Sequence, residues 1–301
     1  MQRNYHVLDV FTDKPFGGNP LAVVLDADGL DGARMQTIAR EFNLSETVFV
    51  LKPQNAAHTA RVRIFTPAAE LAFAGHPTVG TGALLAQLQS PSQPGDALVV
   101  LEEGIGTVRV GVRLRPDAAP YAEFDAPKLP GQSGTLPPSE RLAAALSLIP
   151  AEIGFENHRP TKYAAGNNWA FVPVASLEAI AKARVAAHHW DTVLRDQGLN
   201  GAFLYCRQTV HRTSSFHARC FAPDFGVLED PATGSAAVAF AAVVHRFDEL
   251  PDGAHKRLVE QGYEMGRPST IALSIEVERG KVEAVRIGGH SVRVAEGRIE
   301  V

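Results

Sequence analysis

Glu46 opens the segment Ser45-Glu46-Thr47-Val48-Phe49, a polar start to a β-branched, apolar run. A carboxyl at the mouth of such a strand is either a solvated strand-start residue or lies in a cleft, partly withdrawn from water. Desolvation favours its protonated form, which suits a group that must both remove and return a proton near neutrality. Two further residues stand in matching frames, His76-Pro77-x-x-Gly80 and Asp230-Pro231-x-x-Gly234, each ahead of a run of small apolar residues. Glu46, His76 and Asp230 are therefore the candidate catalytic residues.

The elements that must hold them follow from local chemistry. Asp is a preferred N-cap and Pro is tolerated at the first helical position, so a helix is expected over 231–247, and a second one is expected from His76 onward. Residues 236–244 are apolar on every side, the mark of a buried helix. Asp230 fits a plain N-cap as well as it fits a functional carboxylate. His is a poorer cap, which makes His76 the stronger functional candidate. Thr233, Gly234 and Ser235 fall in the first turn of one helix and Gly75 at the start of the other, where free N–H groups favour an anion. Asn19, in the turn Gly17-Gly18-Asn19-Pro20, reads from the sequence first as support for that turn; with Ser45 it completes the candidate substrate-binding set.

The two frames belong to a longer repetition. Arg63-x-Phe65-x-Pro67 matches Arg219-x-Phe221-x-Pro223, and Gly18-Asn19-x-x-Ala22-x-Val24 matches Gly166-Asn167-x-x-Ala170-x-Val172. Glu102-Glu103-Gly104 matches Glu260-Gln261-Gly262, again in order. Four matches at a nearly constant offset indicate an internal duplication of about 155 residues. On this reading two buried helices point their N-termini at a shared cleft, one capped by His76 and the other by Asp230. The counterpart of Glu46 falls near Gly201-Ala202, which carries no carboxylate, so the site is asymmetric.

Along the chain, short strands are expected at 5–11, 21–25, 46–50, 60–65, 98–101 and 107–114, with a helix over 32–42 stopped by Asn43 and a turn-rich stretch over 89–95. Residues 115–138 contain six prolines and two glycines and read as a linker. The second half repeats the plan, with strands at 160–164, 169–174, 202–206, 213–221, 258–260, 271–278, 281–287 and 291–301, and helices over 177–183 and 189–197. A fully apolar helix among many strands is buried when a sheet curls around it. The expected fold is α+β: two pseudo-symmetric domains, each a barrel-like sheet wrapped around a central helix. The first spans 1–120, completed by the strands of 281–301, and the second spans 130–280.

Bulk properties narrow the function classes. A chain of 301 residues with net charge −4 has no electrostatic case for nucleic acid, and its longest apolar run is too short to span a membrane. The N-terminal stretch carries Arg3, His6, Asp9 and Asp13 in place of an apolar signal core, and with two cysteines, Cys206 and Cys220, a cytoplasmic location is expected. Neither GxGxxG after a strand nor GxxxxGK[ST] is present, so no nucleotide cofactor is expected. His188 and His189 read as surface residues, and no metal is expected. A two-thiol epimerase needs a cysteine at each helix start. Here those positions hold Ala74-Gly75-His76 and Asp230-Pro231-Ala232, with Cys220 ten residues too early.

The segments SETVF (45–49), GHPTVGTG (75–82), ARCFAPDFGVLEDPATGSA (218–236), QGYEMGRPS (261–269) and VRIGGHSVRVAEG (285–297) together resemble the PhzF-like phenazine biosynthesis family. The resemblance runs from Phe16-Gly17-Gly18-Asn19-Pro20 to the C-terminus. It implies a diaminopimelate epimerase-like fold, a homodimer, and a cofactor-independent isomerisation that moves a proton on a dihydro-hydroxyanthranilate. It assigns the acid–base role to Glu46 and site roles to His76, Asp230 and Ser235, all of which match. The expected activity is proton transfer on a small carboxylate substrate. An amino-acid epimerase or racemase, or a non-catalytic small-acid-binding protein, is the alternative.

Overall fold

Residues 1–90 and 94–301 are described by the computed structural model, and they divide between two units, Met1–Pro127 with Ile287–Val301 and Lys128–Arg286. The turn-rich stretch expected over 89–95 falls partly on 91–93, outside the described residues.

The first unit contains β1 (Gln2–Val10), β2 (Asn19–Val24), α1 (Gly32–Phe42), β3 (Glu46–Leu51), β4 (Ala60–Phe65), β5 (Glu70–Leu71), α2 (Gly75–Gln89), β6 (Gly95–Glu103), β7 (Gly106–Leu114) and β8 (Tyr121–Asp125). The second contains β9 (Gly131–Gly134), α3 (Ser139–Ala145), β10 (Thr161–Ala164), β11 (Asn168–Pro173), α4 (Leu177–Lys182), α5 (Ala187–Val193), β12 (Gly201–Cys206), β13 (Phe216–Ala222), β14 (Val227–Asp230), α6 (Gly234–Phe247), β15 (Gly253–Gln261) and β16 (Ser269–Glu278). Strand β17 (Lys281–Glu300) begins in the second unit and ends in the first.

In the first unit the sheet runs β1-β2-β3-β4-β6-β7-β8, mixed in direction, with β2 parallel to β3 and β4 parallel to β6. Strand β17 pairs with both β1 and β8, so the sheet closes on itself. Helix α2 lies inside, in contact with β1, β2, β3, β6, β7 and β8. Its small residues are required by this enclosure. A Cβ on Gly80 would meet Leu21 Cδ2 and Val10 Cγ2 at 2.7 Å, and one on Gly82 would meet Val110 Cγ1 at 2.6 Å. Overpacking of this kind typically costs about 1–3 kcal/mol. Outside, α1 turns Met35, Ile38 and Ala39 toward Phe49 and Phe65, as its helical period requires. Asp31 caps its start by accepting from the Arg34 N–H, and Asn43, left-handed at φ 50°, ends it.

In the second unit the order is β9-β10-β11-β12-β13-β15-β16, with β14 also on β13. Strands β12 and β13 are buried throughout because both faces are covered. The strand period of two sorts their side chains. Ala170, Val172, Ala202, Leu204 and Cys206 join the cluster with Leu142, Ile180 and Trp190 of α3, α4 and α5. Phe171, Phe203, Tyr205 and Phe216 surround the ring of Phe240 on α6, at centroid separations of 5.8, 5.3, 4.7 and 5.1 Å.

The strand registers of the two units correspond. Leu21 pairs with Glu46 at the head of the β2–β3 parallel pair, and Trp169 with Gly201 at the head of β11–β12. Arg61 pairs with Glu102, and His217 with Glu260. The carboxylate of Glu102 accepts from the Gln54 and Asn55 N–H groups, and that of Glu260 accepts from those of Val210 and His211. Arg63 grips Glu70 with two nitrogens, and Arg219 grips Glu229 likewise.

Several expectations need correction. Helix α6 begins at Gly234, three residues later than expected, because 227–230 pair back onto β13 as β14 and hold Asp230 in a strand. Asp230 is therefore not an N-cap; Thr233 takes that position. His76 is no cap either: Ala74 is the N-cap of α2 and His76 lies inside the first turn. The expected linker contains β8 and β9, since Ala122 and Phe124 alternate inward along β8 and the prolines fall between the strands. Helix α3 was not anticipated, although Leu142, Ala143 and Ala145 form its buried stripe. The two closing strands are one, β17.

Candidate active site

In the first unit the site is built on the turn before β2. Gly18 sits at φ +63°, and a Cβ there would lie 2.3 Å from the Val10 carbonyl oxygen, so only glycine allows the chain to fold this tightly. The Phe16 N–H donates to Asp9 Oδ2 at 2.6 Å. Asn19, the next residue, is fully buried opposite Val10.

Glu46 is the first residue of β3, with Ser45 half-buried before it and Thr47, Val48 and Phe49 fully buried after it. Its side chain is 15% exposed, and Oε2 stands 3.3 Å from Nε2 of His76, which is 4% exposed in the first turn of α2 beside buried Gly75. Burial holds the His76 imidazole far below its ordinary value, to about 3, against a hydrogen bond to the Pro20 backbone that works the other way. The ring is neutral throughout the physiological range. A neutral imidazole has one donor nitrogen and one acceptor.

In the second unit Asp230 ends β14 with Oδ2 accepting from the Thr233 hydroxyl at 2.6 Å. Gln261, at the end of β15, ties this corner together. Its Oε1 accepts from the Thr233 N–H, and its Nε2 donates to the Asp230 carbonyl at 2.7 Å and to Thr233 Oγ1 at 3.1 Å. Gly234 is buried and Ser235, second in α6, is half-buried. The sequence pointed to Gln261 as a repeat match and as the first residue of a family-like segment, but gave it no site role, since an amide has no chemistry of its own to announce it.

Cys220 sits directly opposite Asp230 across β13 and β14, so an offset of ten positions along the chain does not separate them. Burial is what keeps this thiol out of proton chemistry: it pushes Cys220 well above its ordinary value, and Cys206 up to about 12. A thiolate at either position is disfavoured.

A mixed sheet wrapped on a central helix, with a carboxyl beside a neutral imidazole and buried, protonated cysteines, is the arrangement of the epimerase-like folds. The chain matches the phenazine biosynthesis-like protein family, PhzC-PhzF, over residues 8–297 and belongs to it. It is 50% identical to an uncharacterised isomerase of Mesorhizobium japonicum, over 99% of this chain and 98% of that one. It is 36% identical to the trans-2,3-dihydro-3-hydroxyanthranilate isomerase of Pseudomonas aeruginosa, over 98% of each. Among solved structures it is similar to a PhzF-family protein of Bacillus anthracis, with TM-score 0.89 and 26% identity over the whole of both chains. A hydroxyproline epimerase from Agrobacterium vitis shares the fold at 13% identity, TM-score 0.65, over 99% of this chain and 91% of that one. The chain is an isomerase.

Proposed function

We propose that this isomerase moves a proton on a small carboxylate substrate of the dihydro-hydroxyanthranilate kind, with Glu46 as the group that removes and returns it. The observation that carries the reading is the pair of Glu46 and His76, 3.3 Å apart and largely withdrawn from water. With its donor directed at the Pro20 backbone, the ring turns its unprotonated nitrogen toward Glu46. That carboxyl can deliver a proton to a substrate carbon, or as the carboxylate take one, while the imidazole fixes its orientation. Asp230 acts as a second polar group, steadied by Thr233 and Gln261, and Asn19, Ser45, Gly75, Gly234 and Ser235 contribute to substrate binding. The 36% identical isomerase named for trans-2,3-dihydro-3-hydroxyanthranilate supports that substrate class.

The reading extends to the architecture. The two units are pseudo-symmetric domains descended from one duplicated segment, supported by their matching registers and by the paired roles of Glu102 and Glu260 and of Arg63 and Arg219. Gly201 stands where Glu46 would recur, and a Cβ there would meet Trp169 at 2.6 Å, so the second domain has no room for a carboxylate.

Incubation with trans-2,3-dihydro-3-hydroxyanthranilate in deuterium oxide tests the reading. Isomerised product carrying up to one solvent deuterium at carbon is expected. Deuterium below one atom per product reports return of the substrate's own proton before the carboxyl exchanges, whereas binding without conversion of this or any related cyclic carboxylate overturns the reading.

A further inference from the structure

Glu103 is a buried acid that the proposed chemistry does not use. It ends β6 with 8% of its surface exposed, and its side chain faces the first turn of α2. Thr78 Oγ1 lies 2.7 Å from Glu103 Oε1 and 2.8 Å from the Ala74 carbonyl oxygen. A hydroxyl has one hydrogen to donate. If that hydrogen goes to Ala74, the contact with Glu103 is a hydrogen bond only when the carboxyl carries the proton and donates to Thr78. A chain from Glu103 through Thr78 to Ala74 then ties down the turn that contains His76. Were Glu103 ionised, the Thr78 hydroxyl would have to turn toward it and leave the helix carbonyl.

The second unit supports the neutral form. There the matching strand end carries Gln261, which is uncharged and both donates and accepts, and it ties down Asp230 and Thr233. Burial pushes the Glu103 carboxyl up to about 8, with the Thr78 contact opposing it. The charged and titratable groups around it do not reverse this. On α2, His76 is neutral; on β4, Arg61 and Arg63 line the same cavity and oppose the neutral form, but Arg63 is paired with Glu70 of β5 and burial outweighs them; Glu102 on β6 is held by His58 and two backbone N–H groups; on β7, Arg109 is exposed. Glu103 also borders a cavity of about 630 Å³ with Arg61, Gln54, Leu71 and Ala72, through which protons can exchange with solvent.

We propose that Glu103 is a positioning residue which, as a neutral carboxylic acid, holds the first turn of α2 and so keeps His76 in register with Glu46. The proposal rests on the reading that Glu46 and His76 perform the chemistry. It adds that activity is lost on the alkaline side when Glu103 ionises.

The test combines two readouts on the full chain. The first is a carbon-13 titration of the Glu side-chain carboxyls in wild type and Glu103→Gln. One carboxyl with a midpoint near pH 8, absent from the variant, is expected. The second is the pH profile of kcat for proton exchange. Wild type should lose activity above about pH 8. Glu103→Gln should keep kcat within about threefold at neutrality and lack that limb, whereas Glu103→Ala should lose tenfold or more in kcat with KM little changed, order-of-magnitude expectations for a group that orients a catalytic side chain. All Glu carboxyls ionised by about pH 6, an alkaline limb unchanged in Glu103→Gln, or a Glu103→Gln chain that does not fold would each overturn the proposal. Failure of the underlying reading is separate and shows as undiminished turnover by Glu46→Gln.

Discussion

Nε2 of His76 stands 3.3 Å from Oε2 of Glu46, and the imidazole is neutral because burial, not a nearby cation, controls it. The arrangement separates two jobs that a single carboxylate in water cannot combine. On the proposed reading Glu46 carries the transferred proton and His76 orients the carboxyl. Each job can be removed alone.

Glu46→Gln should leave ligand affinity within a few fold while lowering turnover by about 10²–10⁴, the usual worth of general acid–base catalysis. Gln preserves shape and hydrogen bonding but exchanges no proton at a useful pKa. Single-turnover kinetics with a parallel binding measurement checks this. Retention of more than about a tenth of the wild-type rate would pass the proton-carrying role to His76 or Asp230.

The acid side of the stability profile should report His76. Its folded pKa, about 3, lies below the ordinary 6.5, so between those values the unfolded chain binds a proton that the native state does not. Stability from this group falls as pH drops through the window, by at most about 1.4 kcal/mol per pH unit. Glu103 acts in the opposite sense: its folded value, about 8, exceeds the ordinary 4.5, so the native state binds the extra proton and stability falls as pH rises from 4.5 to 8. The two slopes oppose one another between 4.5 and 6.5. Chemical denaturation of His76→Asn across that range should therefore uncover a decline with rising pH that wild type masks, and Glu103→Gln should uncover the reverse.

The buried thiols give a chemical check. Cys206 donates to the Gln208 carbonyl at 3.1 Å, and both cysteines are fully buried with raised pKa values. A thiol reagent at neutral pH should label neither until denaturant is added. Cys220→Ser should keep turnover within about tenfold, since no step needs a thiolate. Rapid native labelling of Cys220 with parallel loss of activity would instead favour thiol chemistry beside Asp230.

What the sequence disclosed, and what it withheld, follows from the range of the interactions. The turn at Gly18, helix α1 with its Asn43 stop, the all-apolar α6 and the polar start of β3 at Glu46 are fixed within a few residues, so they were legible. The start of α6 was not. Pro231 after Asp230 has the form of a helix start, but the pairing of Asp230 with Cys220 and the amide of Gln261 outweigh it, and both come from distant strands. The 3.3 Å approach of His76 to Glu46 depends on β3 lying beside α2, which neither local sequence states. Cys220 shows the converse: ten residues along the chain looked like separation, and a strand pairing removed it.

His217 in the second unit meets a carboxylate on each ring nitrogen. Burial opposes its charge, but Nδ1 at 2.8 Å from Glu260 and Nε2 at 2.9 Å from Glu264 outweigh burial and raise it to about 9. Glu260 also accepts from the Val210 and His211 N–H groups, so the imidazolium ties the loop before β13 to the turn after β15. Because the folded value lies above the ordinary 6.5, the native state binds the extra proton. The contribution is complete below 6.5 and is lost as pH rises through about 9. Thermal melts from neutral to alkaline pH should show wild type losing stability across this window and His217→Gln, already less stable at neutrality, changing far less. The variant leaves the buried carboxylate of Glu260 and the partly exposed one of Glu264 facing an amide, so its deficit should be largest near neutral pH and shrink toward pH 9. Parallel melting curves of the two proteins across the window would show instead that His217 is neutral in the fold, with Glu260 held by the backbone N–H groups alone.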